Sequence, residues 1–401
     1  MRYNLMRIAF FTDAFLPQIN GVVSYLIEIA SKLCKHGHEV IVFAPKPRRG
    51  VKVELSNYPF EVVLIPSIPS FLYPDIRITF PSLPRTFLQL KKFAVDIIHI
   101  NDPGTLGTEG IMLAKILKVP SLITFHTFFL DEEILKNVKF WKVISYLDTP
   151  LWHLMAYYHD LADIVVCPSR VSQKELTRHG LKKPSVVINH GIDLGRMKTL
   201  SAEERARLRR LYNINQEDKV GIFVGRIAVD KSLDILIRAW KLVCLKYDSA
   251  KLLLVGRGPK EADLKKLTEK LNLSENIIFT GAMSREEILN SGIYKIADIF
   301  VTASKIENQS FSMIEAMAHA LPIVAVDMRG APELVDKQNG ILVDADDPSA
   351  LAAAVIRLFS DRLCTKKLAQ GSLDKSKKYD LDYSVVRLEK LYRDLVDKKQ
   401  K

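Results

Sequence analysis

Short apolar runs separated by helical stretches recur along this chain in two series, and no other feature constrains its fold as much. The first series is Arg7–Phe11, Glu39–Ala44, Val62–Pro66, Asp96–Ile100, Ser121–Phe125 and Ile164–Cys167. The second is Lys219–Val224, Lys251–Val255, Ile277–Thr280, Asp298–Thr302, Pro322–Val326 and Gly340–Val343. Runs that stay apolar, instead of alternating with polar residues, suit parallel strands covered on both faces. Between the first two, Val22–His36 has the spacing of an amphipathic helix that ends at Gly37. The alternation predicts an α/β chain of two doubly wound, Rossmann-like domains. The boundary is expected near Asn189–Asp193, which gives domains over 1–190 and 191–380. The charged segment Ser201–Arg210 beyond it reads as a solvated helix. A last helix over 381–401, apolar at Val385, Leu388, Leu391 and Leu395, is expected to pack on the body and to cross back to the N-terminal domain.

Composition narrows the class. A length of 401 residues accommodates two domains, and 48% hydrophobic with 26% charged residues excludes wholesale disorder. No apolar run approaches the roughly 20 residues a membrane-spanning helix needs. The apolar start with Arg2 and Arg7 imitates a signal peptide, but Thr12 and Asp13 interrupt it and no small-residue cleavage site follows, so it reads as a first strand. The 4 cysteines lie far apart without a C-x-x-C pair, which argues against a zinc site or disulfide framework and for a reducing cytoplasm. Lys plus Arg number 58 against 46 acidic residues, a net +12 that fits either anionic partners or a solvated basic surface.

In open parallel sheets, ligands bind beyond the carboxyl ends of the strands. After the first run come Asp13 and then Gln18-Ile19-Asn20-Gly21-Val22-Val23, where a glycine opens a helix and backbone N–H groups can approach an anion. A simple tight turn explains Gly21 equally well. His126 leaves the run Ser121–Phe125 and can donate a hydrogen bond or move a proton, whereas His99, inside an apolar run, suits a structural role. In the second series, Gly225-Arg226 follows the run Lys219–Val224 and Lys231 comes soon after; a planar fork and a point charge together suit a diphosphate. Ser304–Met317 places Glu307 in a loop and Glu315 in the helix that follows, with Ser310, Phe311 and Ser312 at its start. Such carboxylates accept hydrogen bonds from sugar and ribose hydroxyls while the helix N-terminus faces phosphate. The plainer alternative for Glu315 is a buried helix acid satisfied by backbone.

Taken together, Gly225-Arg226…Lys231, Glu307-x7-Glu315 followed by Ala316-Met317-Ala318, Leu321-Pro322, Ala331-Pro332-Glu333 and Asn339–Val343 resemble the donor half of family-4 retaining glycosyltransferases of the GT-B fold. Phe11–Val23, Tyr73-Pro74, Phe125-His126-Thr127 and Ala162-Asp163…Pro168-Ser169 resemble the lipid-glycosylating, diacylglycerol glucosyltransferase-like branch. The resemblance implies a cleft between the two domains and transfer of a hexose, glucose before others, from a nucleotide sugar to a membrane lipid with retention at the anomeric carbon. It implies that Arg226 and Lys231 hold the diphosphate, Glu307 the sugar hydroxyls and Glu315 the ribose. It also implies that Gly21 leaves room beside the diphosphate and that His126 approaches the sugar near the reacting carbon. Ser310, Phe311 and Ser312 belong to the donor-binding loop and helix start. No metal and no cofactor are expected, because the two cations stabilise the departing diphosphate. Ser232, Ser310 and Ala320 stand where the family usually has glycine, and at a positive φ any of them would be strained.

Other acceptors fit the same motifs: phosphatidylinositol or another glycolipid with a mannose donor, or a soluble or polysaccharide acceptor. A non-catalytic sugar-nucleotide or nucleic-acid binder is the reading from another class. Five intact site residues and the lack of an RNA-binding motif with interleaved aromatics argue against it. A lipid acceptor implies peripheral attachment to the cytoplasmic face of an anionic membrane. The segments Phe71–Phe93 and Asn137–Tyr158 mix aromatic and basic residues as interfacial helices do.

Overall fold

The structure is a computed structural model that describes residues 5–18, 20–69, 77–126 and 148–400. Its described residues form two compact units. The first takes 5–126, 148–191 and 381–400; the second is Ile192–Asp380.

The first unit is built on strands β1 (Arg7–Phe11), β2 (Glu39–Pro45), β3 (Glu61–Ile65), β6 (Ile97–Ile100), β7 (Ser121–Thr124), β8 (Ile164–Cys167) and β9 (Ser185–Val187), with a small hairpin of β4 (Ser67–Pro69) and β5 (Arg77–Thr79). The seven pair in the order β3-β2-β1-β6-β7-β8-β9, all parallel. The antiparallel hairpin has no counterpart among the runs read from sequence, since three-residue strands give too short a pattern to see. Helix Gly21–Lys35 follows β1, with the Asn20 side chain accepting from the Val23 N–H. Helix Leu381–Gln400 returns to this unit and packs along it. Lys32 pairs with Asp382 at 2.6 Å, His36 and His38 both reach Glu389 Oε1 at 2.7 and 3.2 Å, and Tyr392 meets His99 Nδ1 at 2.7 Å. His99 also contacts Thr124 Oγ1 at 2.7 Å, so both its ring nitrogens have structural partners.

The second unit holds β10 (Val220–Val224), β11 (Lys251–Val255), β12 (Ile277–Gly281), β13 (Ile299–Val301), β14 (Ile323–Val326) and β15 (Gly340–Val343) in the parallel order β12-β11-β10-β13-β14-β15. Apolar side chains cover both faces, which is why the strands lack alternation. Phe223, Leu252 and Leu254 pack with Trp240 and Val355 on one face; Ile222, Val224 and Leu253 pack with Tyr294, Met313 and Met317 on the other. The charged helix Ala202–Leu211 is not solvated throughout. Arg209 is buried, donating to the carbonyls of Asn215, Asp218 and Ile296, because it ties this helix to the loops beneath the sheet.

In each sheet the strand order reverses once, between β1 and β6 and between β10 and β13. The two chain ends leaving such a point diverge and open a crevice at the carboxyl edge. Asp13 follows β1, and Gly225 and Arg226 follow β10, at these two places.

Candidate functional site

At the second unit's reversal, β10 delivers Gly225 and Arg226, and a single 3-10 turn, Val229–Lys231, delivers Lys231. Beyond β13, Ser304 and Glu307 approach from the other side. Lys231 Nζ lies 2.8 Å from Glu307 Oε1, 3.2 Å from Asp230 Oδ2 and 3.5 Å from Ser304 Oγ. Burial works against the ammonium, but the two carboxylates outweigh it and hold the Lys231 pKa above its ordinary value. Arg226 pairs loosely with Asp230 at 3.4 Å and leaves 57% of its side chain exposed. An exposed fork and an anchored point charge therefore share one acid.

The loop carrying Glu307 is held from behind. Gly330 N–H donates to the Glu307 carbonyl at 2.8 Å, and a Cβ on Gly330 would meet Asn308 O at 1.9 Å. Any side chain there displaces the loop. Ser310 then caps helix Phe311–Ala318 at φ −77°, its hydroxyl accepting from the Met313 N–H, so the serine in the glycine position carries no strain. The other two departures differ: Ser232 at φ 45° and Ala320 at φ 58° occupy the left-handed region.

Glu315 is buried, as in the plainer alternative for it, but side chains and not backbone satisfy it. Arg285 binds Oε1 and Tyr294 donates to Oε2 at 2.8 Å. The Arg285 guanidinium also lies 5.0 Å from the Phe311 ring centroid. Burial, and next the charge of Glu315, drive the Tyr294 hydroxyl pKa well up, so it stays a donor. Ser310 and Ser312 hydroxyls lie 3.1 Å apart at the same helix start. Arg285, Tyr294, Asp230 and Gly330 were not foreseen from sequence. Asp230 adjoins Lys231 and was open to that inference; Arg285 and Tyr294 sit in segments without any motif.

Gly256, directly after β11, has a packing role. Gly256 lies at φ 145°, and a Cβ there would meet Gly225 O at 1.9 Å. This glycine lets the β10 and β11 loops touch.

At the first unit's reversal, His126 Nε2 lies 3.1 Å from Asn101 Oδ1 and donates to it. The ring packs against Tyr25 at 4.8 Å and His190 at 5.0 Å between centroids. Tyr25 belongs to the helix that Gly21 opens, so Gly21 and His126 share one neighbourhood. Burial, then the neighbouring His190, His99 and His159, hold the His126 pKa well below its ordinary value. The ring is neutral at physiological pH, and its one N–H is committed to Asn101. Asn101 Nδ2 reaches Asp102 Oδ2 and Thr12 Oγ1, both at 3.3 Å. Burial, with Asp13 second, pushes Asp102 up to about 7. Thr12 Oγ1 lies 2.6 Å from Asp102 Oδ2 and 2.7 Å from Ala14 O. Asp13 accepts from Leu106 and Gly107 N–H at 2.9 and 3.1 Å and caps helix Thr105–Leu117. Asn101 and Asp102 follow β6 directly, and that position was their available signal.

Ile19, Tyr73-Pro74, Thr127, the first half of Asn137–Tyr158 and the start of Phe71–Phe93 lie outside the described residues. Of the aromatics that remain, Trp152 is core, stacked 5.1 Å from His179, while Phe80 and Tyr157 are exposed. Helix Leu83–Phe93 exposes Arg85, Leu88, Lys91 and Lys92. No helix among the described residues is long and apolar enough to cross a membrane.

Comparison with known proteins finds matches along both halves of the chain. Residues 19–196 match Glycosyltransferase Family 4, and residues 204–374 match Glycosyl transferases group 1. The chain is 30% identical to the alpha-monoglucosyldiacylglycerol synthase of Streptococcus pneumoniae, over 80% of this chain and 71% of that protein. It is 28% identical to the alpha-monoglucosyldiacylglycerol synthase of Acholeplasma laidlawii, over 99% of each. The crystal structure of Anabaena Alr3699/HepE in complex with UDP-glucose superposes with a TM-score of 0.79 at 20% identity, over 97% of this chain and 100% of that one.

Proposed function

The chain belongs to the family-4 glycosyltransferases of the GT-B fold, and from that premise we propose that it moves glucose from a nucleoside-diphosphate sugar to a diacylglycerol-type lipid, with retention at the anomeric carbon. The observation that carries this reading is Lys231 bound to Glu307 at 2.8 Å, beside Arg226, at the strand-order reversal. Cleavage of the glycosyl–phosphate bond leaves positive charge on the sugar and negative charge on the diphosphate. Arg226 and Lys231 supply fixed positive charge for the second, and preorganised charge of this kind commonly provides most of the rate enhancement in group transfer. Donor entry exchanges the Lys231–Glu307 contact for two others, ammonium to diphosphate and carboxylate to sugar hydroxyl. Glu315 supports the nucleotide end through the Arg285–Phe311 helix start. Because two cations neutralise the diphosphate, transfer proceeds without a divalent metal.

The glucose and lipid assignments follow the relatives named as monoglucosyldiacylglycerol synthases, and the UDP-glucose complex of HepE supports a uridine donor. Exposed Phe80, Leu88, Arg85, Lys91 and Lys92 support peripheral attachment to an anionic cytoplasmic leaflet. The test is a screen of UDP-glucose and GDP-mannose against diacylglycerol and phosphatidylinositol in anionic vesicles, with the product's anomeric configuration read by proton NMR. An α-glucosyl lipid from UDP-glucose is expected. Transfer only to soluble acceptors, or a β product, overturns the lipid or the retention assignment respectively.

A further inference from the structure

Where β2 and β3 end, at the edge of the first sheet, Lys46, Arg48, Arg49 and Arg77 line a single hollow of about 540 Å³. Among the described residues no Asp or Glu lines it, and no ion pair joins these four cations to a carboxylate. The arrangement is fixed by backbone. Lys46 N–H donates to Ile65 O at 2.8 Å, and the Ser67 hydroxyl donates to Lys46 O at 2.8 Å. Arg77, across the β4–β5 hairpin, donates through Nε to Ser67 Oγ at 2.8 Å and through a terminal nitrogen to Ser67 O at 2.7 Å. The guanidinium is therefore anchored along one edge with its remaining N–H groups uncommitted. On the opposite side, a turn closed by Val51 N–H to Arg48 O at 3.1 Å carries Arg48 and Arg49. Burial, and then the nearby charge of Arg48, lower the proton affinity of Arg77. Like charges gathered in one concavity without a counter-charge raise the energy of the folded chain and focus a positive potential there.

We propose that this hollow binds a phosphate group, as a phosphomonoester or phosphodiester borne by a soluble molecule or by a lipid headgroup. Phosphate matches the chemistry: the free edge of the anchored Arg77 binds two of its oxygens side by side, and the lysine and two turn arginines balance a second charge. A carboxylate would leave most of the positive charge unanswered. None of the lining residues belongs to the set assigned to the nucleotide sugar, so the inference stands whether or not that assignment does.

Isothermal titration of the full chain with inorganic phosphate tests it, using Arg48→Ser with Arg49→Ser, both on an exposed turn where folding is not at stake. Affinity at least tenfold weaker than wild type is expected, whereas Arg226→Ala leaves this binding in place. A second arm measures co-sedimentation with phosphatidylcholine vesicles containing phosphatidylglycerol, with and without competing phosphate. Loss of both phosphate and vesicle binding in the double variant identifies a headgroup; loss of phosphate binding alone identifies a soluble phosphorylated ligand. Phosphate affinity unchanged by the double variant, with or without a change in vesicle binding, overturns the proposal.

Discussion

Replacing Glu315 by alanine removes the carboxylate that Arg285 and Tyr294 share, and the structure sets the size of the loss. The Glu315 side chain is 3% exposed and that of Arg285 20%. Breaking a buried ion pair by removing one partner costs about 3–5 kcal/mol, and partial water access to Arg285 places the cost near the lower figure. The buried Tyr294 hydroxyl loses its 2.8 Å acceptor, for which about 1–3 kcal/mol is typical, but the Ser312 carbonyl at 3.5 Å gives it an alternative. Together these give about 4 kcal/mol. That is a large share of a domain's roughly 5–15 kcal/mol. Urea unfolding followed by circular dichroism should show an early transition of the second unit for Glu315→Ala. Glu315→Gln, which keeps an acceptor for Tyr294, should lose about half as much. A double-mutant cycle with Arg285→Ala should give a coupling above about 1 kcal/mol. A loss under about 1 kcal/mol for Glu315→Ala, or no coupling, refutes the reasoning and returns Glu315 to a solely ligand-facing role.

Ala320→Gly and Ser232→Gly should each raise stability by about 0.5–1 kcal/mol, since a left-handed non-glycine residue costs about 1–2 kcal/mol and the freed unfolded chain takes part of this back; a lower melting temperature contradicts the strain. Acidification from pH 7.5 to 5.5 should destabilise the first unit. His99, His159 and His190, held by burial to about 3, 4 and 3, stay neutral when folded and take up protons only when unfolded, a loss of about 1.4 kcal/mol each at pH 5.5. His126, kept neutral by the same burial, adds to the loss, while Asp102, raised to about 7, works the other way by about 2 kcal/mol and Asp13, also raised by burial, in the same sense; a net loss is expected and a gain in stability refutes it. Transfer activity should persist in excess chelator; complete loss restored by magnesium or manganese sinks the metal-free mechanism.

The sheets were legible in the sequence because strands buried on both faces have to be apolar along their whole length. Arg7–Phe11, Ile164–Cys167, Lys251–Val255 and Gly340–Val343 have the bounds read from the pattern. The candidate site was legible only where a residue type is unusual for its place, as with a cation after a strand or an acid inside an apolar helix. Its supports were not, because contact across the fold leaves no local spacing: Arg285 and Tyr294 reach Glu315 from 30 and 21 residues away. Asn101 likewise orients His126 from 25 residues away. Whether Ser310, Ser232 or Ala320 bears strain depends on a backbone angle that composition does not encode. The sequence raised the question for all three, and only the structure separates the capping serine from the two strained positions.

The central claim is that Arg226 and Lys231 hold a donor diphosphate. Its most direct test is the affinity of wild type and of the Arg226→Ala, Lys231→Ala double variant for the nucleotide sugar preferred in the donor screen, by isothermal titration. Two charge-assisted contacts at about 1.5–3 kcal/mol each predict binding weakened by at least about 100-fold. An affinity in the double variant equal to that of wild type contradicts the account.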